Sequence, residues 1–351
     1  MAGSLIVEAP DVGAITLKQH VIGLDTVRAY AALSVMFAHI LGPKLPTMIG
    51  WLGLSKDLAE LSRYIFTGHP AVIVFFVVSG FCIHYPYTNR PLPIFAFTLA
   101  RWTRIMVPAL MALLLAKVLH MNKFNFMDGY ILWSIVCELC YYTLYPLFLK
   151  LSCKVSFEMQ LLIAFIISLS LVTYLGSDQH GGANIYGPGL NWLVALPSWL
   201  LGCVLANKHA GAKALKQHSS CGIFIWRISV AIVASLLYWL TMNTPVGFYL
   251  TMNPFAILIF FWLSAEISAQ KDANSLFERM GKWSYSIYLF HAIFLVLLSK
   301  LAGKFLFISI PIILALCYLA YISIEKPSHE YARLLFRKYR EQFQFVSTGN
   351  R

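Results

Sequence analysis

The sequence predicts an all-α fold, a polytopic membrane helix bundle of about ten transmembrane helices with both termini in the cytoplasm. Hydrophobic residues make up 59% of the 351 residues and charged residues only 12%, and the mean hydropathy is +0.70. A soluble domain is typically about 45–50% apolar and about 25% charged. The apolar residues also form runs long enough to cross a bilayer, separated by turn-rich or charged breaks.

Each predicted helix is an apolar run of about 18 residues or more, the length that a ~30 Å hydrocarbon core requires. The first run lacks the charged, apolar and cleavage-site order of a signal peptide, so we expect it to remain as a span. The segment SKLAGK is the only break between the last two runs. The predicted spans are approximately 22–42, 69–87, 99–119, 130–150, 159–176, 190–207, 222–241, 247–268, 283–300 and 303–323.

Lysine and arginine are distributed unevenly between the two sides of this bundle. With the spans above, 20 of the 27 lie on the side that carries both termini. Because short cytoplasmic loops are enriched in Lys and Arg, we predict that this side is the cytoplasm. The chain then divides into a cytoplasmic N-terminal tail (1–20), a transmembrane domain (21–325) and a basic cytoplasmic C-terminal tail (326–351).

The net charge of +12 would suggest a nucleic-acid partner in a soluble protein. Here the cytoplasmic bias accounts for most of it, so we expect no nucleic acid and a basic tail that contacts anionic headgroups of membrane lipid. The seven cysteines are scattered, and the CELC segment at 137–140 has no second pair. We therefore predict no metal site.

Two ionisable residues lie at the ends of the segment RAYAALSVMFAH in the first span. Arg28 and His39 are eleven residues apart, so a helix places them on one face about 16 Å from each other. An ionisable group inside a span is costly and is a functional hypothesis by default. The alternative for Arg28 is a cytoplasmic flank that snorkels to the interface. The alternative for His39 is a buried structural residue with a hydrogen-bond partner.

Four further charged or titratable residues stand out. Glu138 in the fourth span is a functional candidate, because a carboxylate there needs a proton or a cationic partner. His291 in the ninth span is either a ligand-binding group or a satisfied interior residue. Arg101 and Arg104 open the third span on one helix face. They are either an orientation signal or a phosphate clamp.

Six segments, in this order, resemble the acyltransferase-3 family of integral membrane acyltransferases, and the resemblance extends over most of the chain. The first, GLDTVRAYAALSVMFAH, fits the family's arginine and histidine separated by ten residues, at Arg28 and His39. The others are AVIVFFVVSGFCI (family pattern FFxxSGF), RWTRIMVP (RxxR), LWSIVCELCYYTLYP (WSxxxExxFYxxYP, with Glu138 at the glutamate), SYSIYLFH (SYSxYLxH, with His291 at the histidine) and IEKP (the closing ExP).

The resemblance implies a transmembrane acyltransferase domain over residues 21–325, located in the bacterial plasma (inner) membrane. It implies transfer of an acyl group, usually acetyl, from cytoplasmic acyl-CoA to a hydroxyl of a carbohydrate or lipid-linked glycan, such as an O-antigen or exopolysaccharide. The chain departs from the family at Ile73, where many members have an aspartate two residues before the FF pair. We assign this position no role.

The spacing in the first span then suggests how acyl-CoA would lie. Arg28, Arg101 and Arg104 would hold its phosphates by charge-assisted hydrogen bonds. The pantetheine arm would extend inward by about 16 Å. At that depth His39 would act as general base on the acceptor hydroxyl.

Glu138 and His291 are predicted to support this step. Glu138 would orient or charge-balance the catalytic histidine or bind the sugar, and His291 would donate to the oxyanion or line the acceptor route. A relay through an acylated side chain is less favoured, because no Ser or Cys is plainly paired with a base. The alternative function is a proton-coupled membrane transporter of a small polar or amphiphilic substrate, since such carriers also hold ionisable groups near the midplane.

Overall fold

The computed structural model describes residues 21–122, 124–125, 131–176, 186–211, 219–269, 275–299 and 305–348, and the predicted N-terminal tail (1–20) lies outside them. The regular structure of the described residues is helical, without a strand. The helices are α1 (Leu24–Ile40), α2 (Leu45–Trp51), α3 (Lys56–Ser62), α4 (Gly68–His84), α5 (Ile94–Val118), α6 (Trp133–Leu151), α7 (Phe157–Leu175), α8 (Gly187–Gly211), α9 (Ser220–Asn243), α10 (Phe248–Ser268), α11 (Leu276–Gly281), α12 (Ser284–Leu297), α13 (Leu306–Ala320) and α14 (Lys326–Thr348). A 3₁₀ turn (Tyr85–Tyr87) follows α4, and a π-helical turn (Tyr321–Glu325) joins α13 to α14.

All ten predicted spans coincide with helices, namely α1, α4 to α10, α12 and α13. Within the described ranges, however, only seven helices are long and apolar enough to cross a membrane, or eight if the bent pair α1 and α2 forms one span. Helix α12 has only 14 residues, a length of about 21 Å. Ten of them are buried, so α12 meets protein more than lipid. The polytopic all-helical fold is confirmed, whereas the count of ten spans is not.

The first predicted span bends sharply at its end. Helices α1 and α2 are inclined by 67° across a short break that contains Gly42 and Pro43. Proline lacks the N–H that would continue a helix and disfavours helical backbone in the residue before it. A Cβ atom on Gly42 would lie 2.4 Å from the carbonyl oxygen of Ala38, so a larger residue does not fit this turn. The helix therefore ends at Ile40 rather than at the predicted residue 42.

Helices α4 and α8 touch through their backbones at the centre of the bundle. A Cβ atom on Gly80 would lie 1.9 Å from the carbonyl oxygen of Trp199, and one on Gly202 would lie 2.0 Å from that of Val77. Small residues at such crossings let membrane helices approach closely. The contact fixes the orientation of α4, including Ser79, which precedes the crossing glycine and faces α6.

The start of α1 is held by α11, which is distant in the sequence. The Glu278 carboxylate accepts hydrogen bonds from the backbone N–H of Gly23 at 3.1 Å and of Thr26 at 3.0 Å. These donors belong to the unsatisfied first turn of a helix, where a negative charge is stabilising. Gly281 packs so closely that a Cβ atom there would lie 1.9 Å from the carbonyl oxygen of Asp25. The first turn of α1 is thus fixed against α11.

The C-terminal helix packs back along the bundle. Residues 306–340 form one continuous helical stretch of 35 residues through the π-helical turn. Ser328 on α14 donates a hydrogen bond to the carbonyl oxygen of Thr103 on α5 at 3.1 Å, and the Tyr339 and Phe95 rings lie 5.1 Å apart. Residues 326–348 of the predicted C-terminal tail are therefore helical, and their first half forms part of the folded bundle.

Candidate functional site

A cavity of about 240 Å³ lies between α1, α4, α5, α6 and α12. One end, which we call the arginine end, is lined by Arg28, Arg101 and Arg104. The other end, which we call the closed end, is lined by Phe75, Ser134 and Tyr288. The three arginines singled out in the sequence therefore share one cavity, although two of them come from α5 and one from α1.

One face of α6 supplies a polar stripe to this cavity. Ser134, Glu138 and Tyr142 all line it, and their spacing of four residues stacks them along one side of the helix. Ser134 Oγ lies 2.7 Å from Tyr288 Oη. At the other extreme, the guanidinium carbon of Arg101 lies 6.0 Å from the centre of the Tyr142 ring. The stripe therefore spans about 12 Å between the closed end and the arginine end.

The Glu138 carboxylate is bound by hydroxyl groups. Ser79 Oγ donates a hydrogen bond to it at 2.9 Å, and the Tyr142 hydroxyl donates to the same oxygen. Ser79 Oγ and Tyr142 Oη are themselves 3.1 Å apart. Within the described residues Glu138 forms no hydrogen bond to His39, so the geometry gives no support to the predicted role of orienting that ring.

The three arginines at the arginine end differ in their partners. Arg28 lies 3.4 Å from the Asp25 carboxylate on its own helix. Arg104 donates from Nε to His329 Nε2 at 3.0 Å, and His329 is neutral when it accepts there. The contacts of Arg101 in the described part of the chain are with aromatic rings rather than with a carboxylate. A half-buried cation in this setting favours an anionic ligand.

The two histidines singled out in the sequence meet in the structure. His39 Nδ1 lies 2.9 Å from His291 Nε2, and His291 Nδ1 lies 2.7 Å from the carbonyl oxygen of Ile287. A carbonyl only accepts, so His291 carries its proton on Nδ1 and its Nε2 accepts from His39. A neutral His39 then has its proton on Nδ1 and its lone pair on Nε2. The network thereby selects the tautomer that can act as a base through Nε2.

The histidine pair lies one helical turn beyond the closed end of the cavity. Tyr288 lines that end and precedes His291 on α12 by three residues, whereas neither histidine belongs to the cavity lining among the described residues. The Tyr288 and Phe75 rings pack at 5.5 Å. His291 is fully buried and His39 is half-buried. A layer formed by Phe75 and Tyr288 thus closes the cavity on the side of the histidines.

A second glutamate stabilises the helix that carries the histidine. Glu325 lines the cavity, and its carboxylate accepts hydrogen bonds from the backbone N–H of Ser286 at 2.9 Å and from Ser286 Oγ at 2.5 Å. These donors lie in the first turn of α12, where a negative charge is stabilising. Glu325 also lies 3.7 Å from His329, the partner of Arg104.

Four residues that form or support the site were not predicted from the sequence. Ser79 stands in the quoted motif FFVVSGF, and Tyr142 follows Glu138 by one turn, so helical spacing could have identified both. Glu278 and His329 have no helical spacing from a predicted site residue that could have identified them. Their partners, Thr26 and Arg104, lie 252 and 225 residues away in the chain.

The structure offers no obvious metal centre in the part of the chain that it describes. No group of three or more His, Cys, Asp or Glu side chains there is arranged to hold a metal ion. Cys82 lines the cavity, whereas Cys137 of the CELC segment is buried among apolar residues.

Comparison with known proteins gives one finding. A family model described as an acyltransferase domain (Acyl_transf_3) matches residues 21–324. No curated protein and no solved structure matches the chain. The matched residues include the histidine pair and the cavity lining apart from Glu325 and His329, and the match ends just before α14.

Proposed function

Because this chain belongs to the acyltransferase domain family, we propose that it moves an acyl group, acetyl in the first instance, from acyl-CoA to a hydroxyl of a carbohydrate or lipid-linked glycan. Family membership and the apolar helices show that the chain is a multi-pass membrane acyltransferase. The donor, the acceptor, the roles of individual residues and a location in the bacterial inner membrane belong to the proposal.

The main support for this proposal is a column of polar side chains that leads from the arginine end toward the histidine pair, which we call the polar column. It consists of Arg101, Tyr142, Glu138, Ser134 and Tyr288. Along α6 the stripe leads from Arg101 to the Tyr288 hydroxyl, and His291 follows by one turn. Along α1 a similar interval of about 16 Å separates Arg28 from His39. Two helices thus cover the same distance, which suits an extended ligand with an anionic end and a reactive end.

The arginine end suits the phosphates of a nucleotide thioester. Guanidinium groups bind phosphate in a bidentate manner, and the contacts of Arg101 among the described residues leave its charge without a carboxylate partner. The cavity volume of about 240 Å³ is below the range of about 300–1,000 Å³ typical of sites for whole drug-sized ligands. The cavity therefore suits the thin pantetheine arm rather than the whole of coenzyme A.

In this mechanism the Phe75 and Tyr288 side chains move aside when the donor binds, and His39 is the general base. Its Nε2 removes the proton of the acceptor hydroxyl as the hydroxyl oxygen attacks the thioester carbonyl. The carbon–sulfur bond of the resulting tetrahedral intermediate then breaks, and the leaving thiolate takes the proton back from the imidazolium. The products are the acylated hydroxyl and coenzyme A with a free thiol, and no acylated enzyme forms.

His291 is a positioning residue in this mechanism. Both of its nitrogens are engaged, Nδ1 with the Ile287 carbonyl and Nε2 with His39. The Nε2 acceptor holds the His39 ring in one orientation and stabilises the positive charge that forms on it during proton transfer. This tautomer argues against the predicted oxyanion-donor role of His291, because its Nε2 carries no proton to donate.

Transfer of labelled acetyl from acetyl-CoA, in membranes that contain the full chain, tests the function. We compare His39→Asn with His120→Asn, the same change at an exposed histidine outside the cavity. General acid–base catalysis contributes about 10²- to 10⁴-fold. His39→Asn is therefore expected to lose at least about a hundredfold of the transfer rate, while His120→Asn retains it. Near wild-type transfer by His39→Asn at an equal protein level contradicts the mechanism.

Two other outcomes would identify the alternatives. Label that stays on the protein in the absence of acceptor indicates a relay through an acylated side chain, for which Ser79 beside Glu138 is the first candidate. Substrate uptake without acylation indicates a transporter.

A further inference from the structure

A second cavity adjoins the arginine end on the side away from the histidine pair. Its volume is about 380 Å³. Arg101, Arg104 and His329 line both cavities and form the wall between them. The remaining lining consists of Pro86, Tyr87, Phe97, Ala100, Ala332, Arg333 and Phe336.

The outer wall of this cavity is a segment that the family match does not reach. Ala332, Arg333 and Phe336 belong to α14, whereas the match ends at residue 324. The wall is nevertheless part of the fold, because α14 is bonded to α5 through Ser328 and through His329. The cavity therefore exists only when the C-terminal helix is in place.

The chemistry of the lining is cationic and aromatic. Three arginines face this cavity, and no acidic residue is among its described lining. Tyr87, Phe97 and Phe336 supply ring faces. Guanidinium groups select phosphate, and aromatic rings stack on nucleobases.

A buried donor near the second cavity also lacks a partner. Arg340 Nε is buried and has no hydrogen-bond partner among the described residues. The Arg340 guanidinium lies close enough to the Tyr87 hydroxyl to interact with it electrostatically. A bound anion in the second cavity could supply an acceptor for this donor.

We propose that the second cavity binds the nucleotide half of the acyl donor, with the adenine between the rings and the phosphates on the arginines of the shared wall. This inference rests on the proposed function, because it assigns the remaining half of acyl-CoA. The thioester arm occupies the first cavity and the nucleotide occupies the second. Arg333 and Phe336 on α14 are donor-binding residues that lie outside the family domain.

Binding measurements on the full chain in detergent test this assignment without knowledge of the acceptor. The probes are coenzyme A and adenosine 3′,5′-bisphosphate, which is the nucleotide end alone. Arg333→Ala and Phe336→Ala are each expected to lower the affinity for both probes by roughly tenfold, because each removes one charged or stacking contact. Arg337→Ala, an exposed arginine one turn further along α14 that does not line the cavity, is the matched control and is expected to bind both probes like the wild type.

The outcomes separate the two proposals. If coenzyme A binds the wild type and both variants with equal affinity, the second cavity is not the nucleotide site, and the proposed function remains intact. A loss of coenzyme A binding that is accompanied by a lowered Tm of the unliganded variant, with unchanged affinity for the bisphosphate, also overturns it, because it indicates a structural effect of α14. A wild-type chain that binds neither probe removes acyl-CoA as the donor, and both proposals fail.

Discussion

The two ends of the polar column differ in how completely the protein satisfies its own charged and polar groups. At the arginine end Arg101 has aromatic neighbours rather than a carboxylate among the described residues, and Arg104 bonds to a neutral His329. At the histidine end every nitrogen of His291 is engaged, and a carbonyl determines the tautomer of the pair.

This contrast indicates a division of labour. A guanidinium group such as that of Arg101, which has no carboxylate partner among the described residues, favours a bound anion, since a ligand that supplies negative charge relieves an unfavourable arrangement. A histidine whose ring is fixed by hydrogen bonds is suited to proton transfer, because it needs no reorganisation during the reaction. Changes at the arginine end should therefore act on donor affinity, and changes at the histidine end should act on turnover.

The largest expected effect follows from His291→Ala at the histidine end. Without His291, His39 keeps its hydrogen bond to the Val35 backbone but loses the side-chain acceptor that orients its ring and stabilises its positive charge. We therefore expect kcat to fall by about 10²- to 10³-fold with little change in KM for the donor. Steady-state kinetics with acetyl-CoA measures both constants. His291→Gln supplies an amide oxygen that can accept from His39 Nδ1 and should restore part of kcat. If the Gln and Ala variants are equally inactive and unstable, His291 is only structural.

Arg101→Ala is expected to have a smaller effect, which falls on KM rather than on kcat. Loss of a phosphate contact should raise KM for acetyl-CoA by about 10- to 100-fold and leave kcat within a few-fold. Arg90→Ala, an exposed arginine in the loop before α5, is the matched control and should leave KM unchanged. A fall in kcat at an unchanged KM would contradict the assignment of this end to donor binding.

The layer formed by Phe75 and Tyr288 should limit the length of the acyl group that the enzyme accepts. Phe75 closes the cavity beside Tyr288, so Phe75→Ala lengthens the space available to the thioester tip. We expect the ratio of kcat/KM for butyryl-CoA to that for acetyl-CoA to rise about tenfold, the scale on which hydrophobic pockets discriminate methylene groups. Because both donors are measured on the same protein, the ratio is independent of differences in protein level between the variant and the wild type. An unchanged ratio would show that the acyl group does not reach this layer.

The smallest effect is expected from Glu278→Gln, which tests how α1 is fixed near the arginine end. The neutral amide weakens the charge-assisted bonds to Gly23 and Thr26, so the free energy of unfolding should fall by about 1–2 kcal/mol. Glu60→Gln, in an exposed pair with Arg63, should change it by close to zero. Thermal unfolding in detergent gives both values. An unchanged Tm for Glu278→Gln would show that α11 does not hold α1.

Three of the ten predicted spans, α1, α6 and α12, are not both long and apolar enough to cross a membrane as single helices. Helix α6 has 19 residues, so its length suffices, but polar side chains such as Glu138 lower its hydropathy. Hydrophobic runs indicate where helices lie, and all ten runs are helical. They do not indicate how a helix meets the bilayer. Helix α12 is short and largely enclosed by protein, and Gly42 and Pro43 turn the chain at the end of α1. Both outcomes depend on neighbouring helices as well as on local hydropathy.

The sequence by itself determined the helical membrane fold, the family, and the placement of Arg28 and His39 on one face of α1. These are local properties, since span length and helical period involve residues that are close in the chain. Only the tertiary structure decided that His39 meets His291, 252 residues away, that Glu278 caps α1, and that α14 completes a second cavity beside the arginines. Such contacts arise when distant helices pack together, and the pattern of residues within one helix does not specify its partner's register.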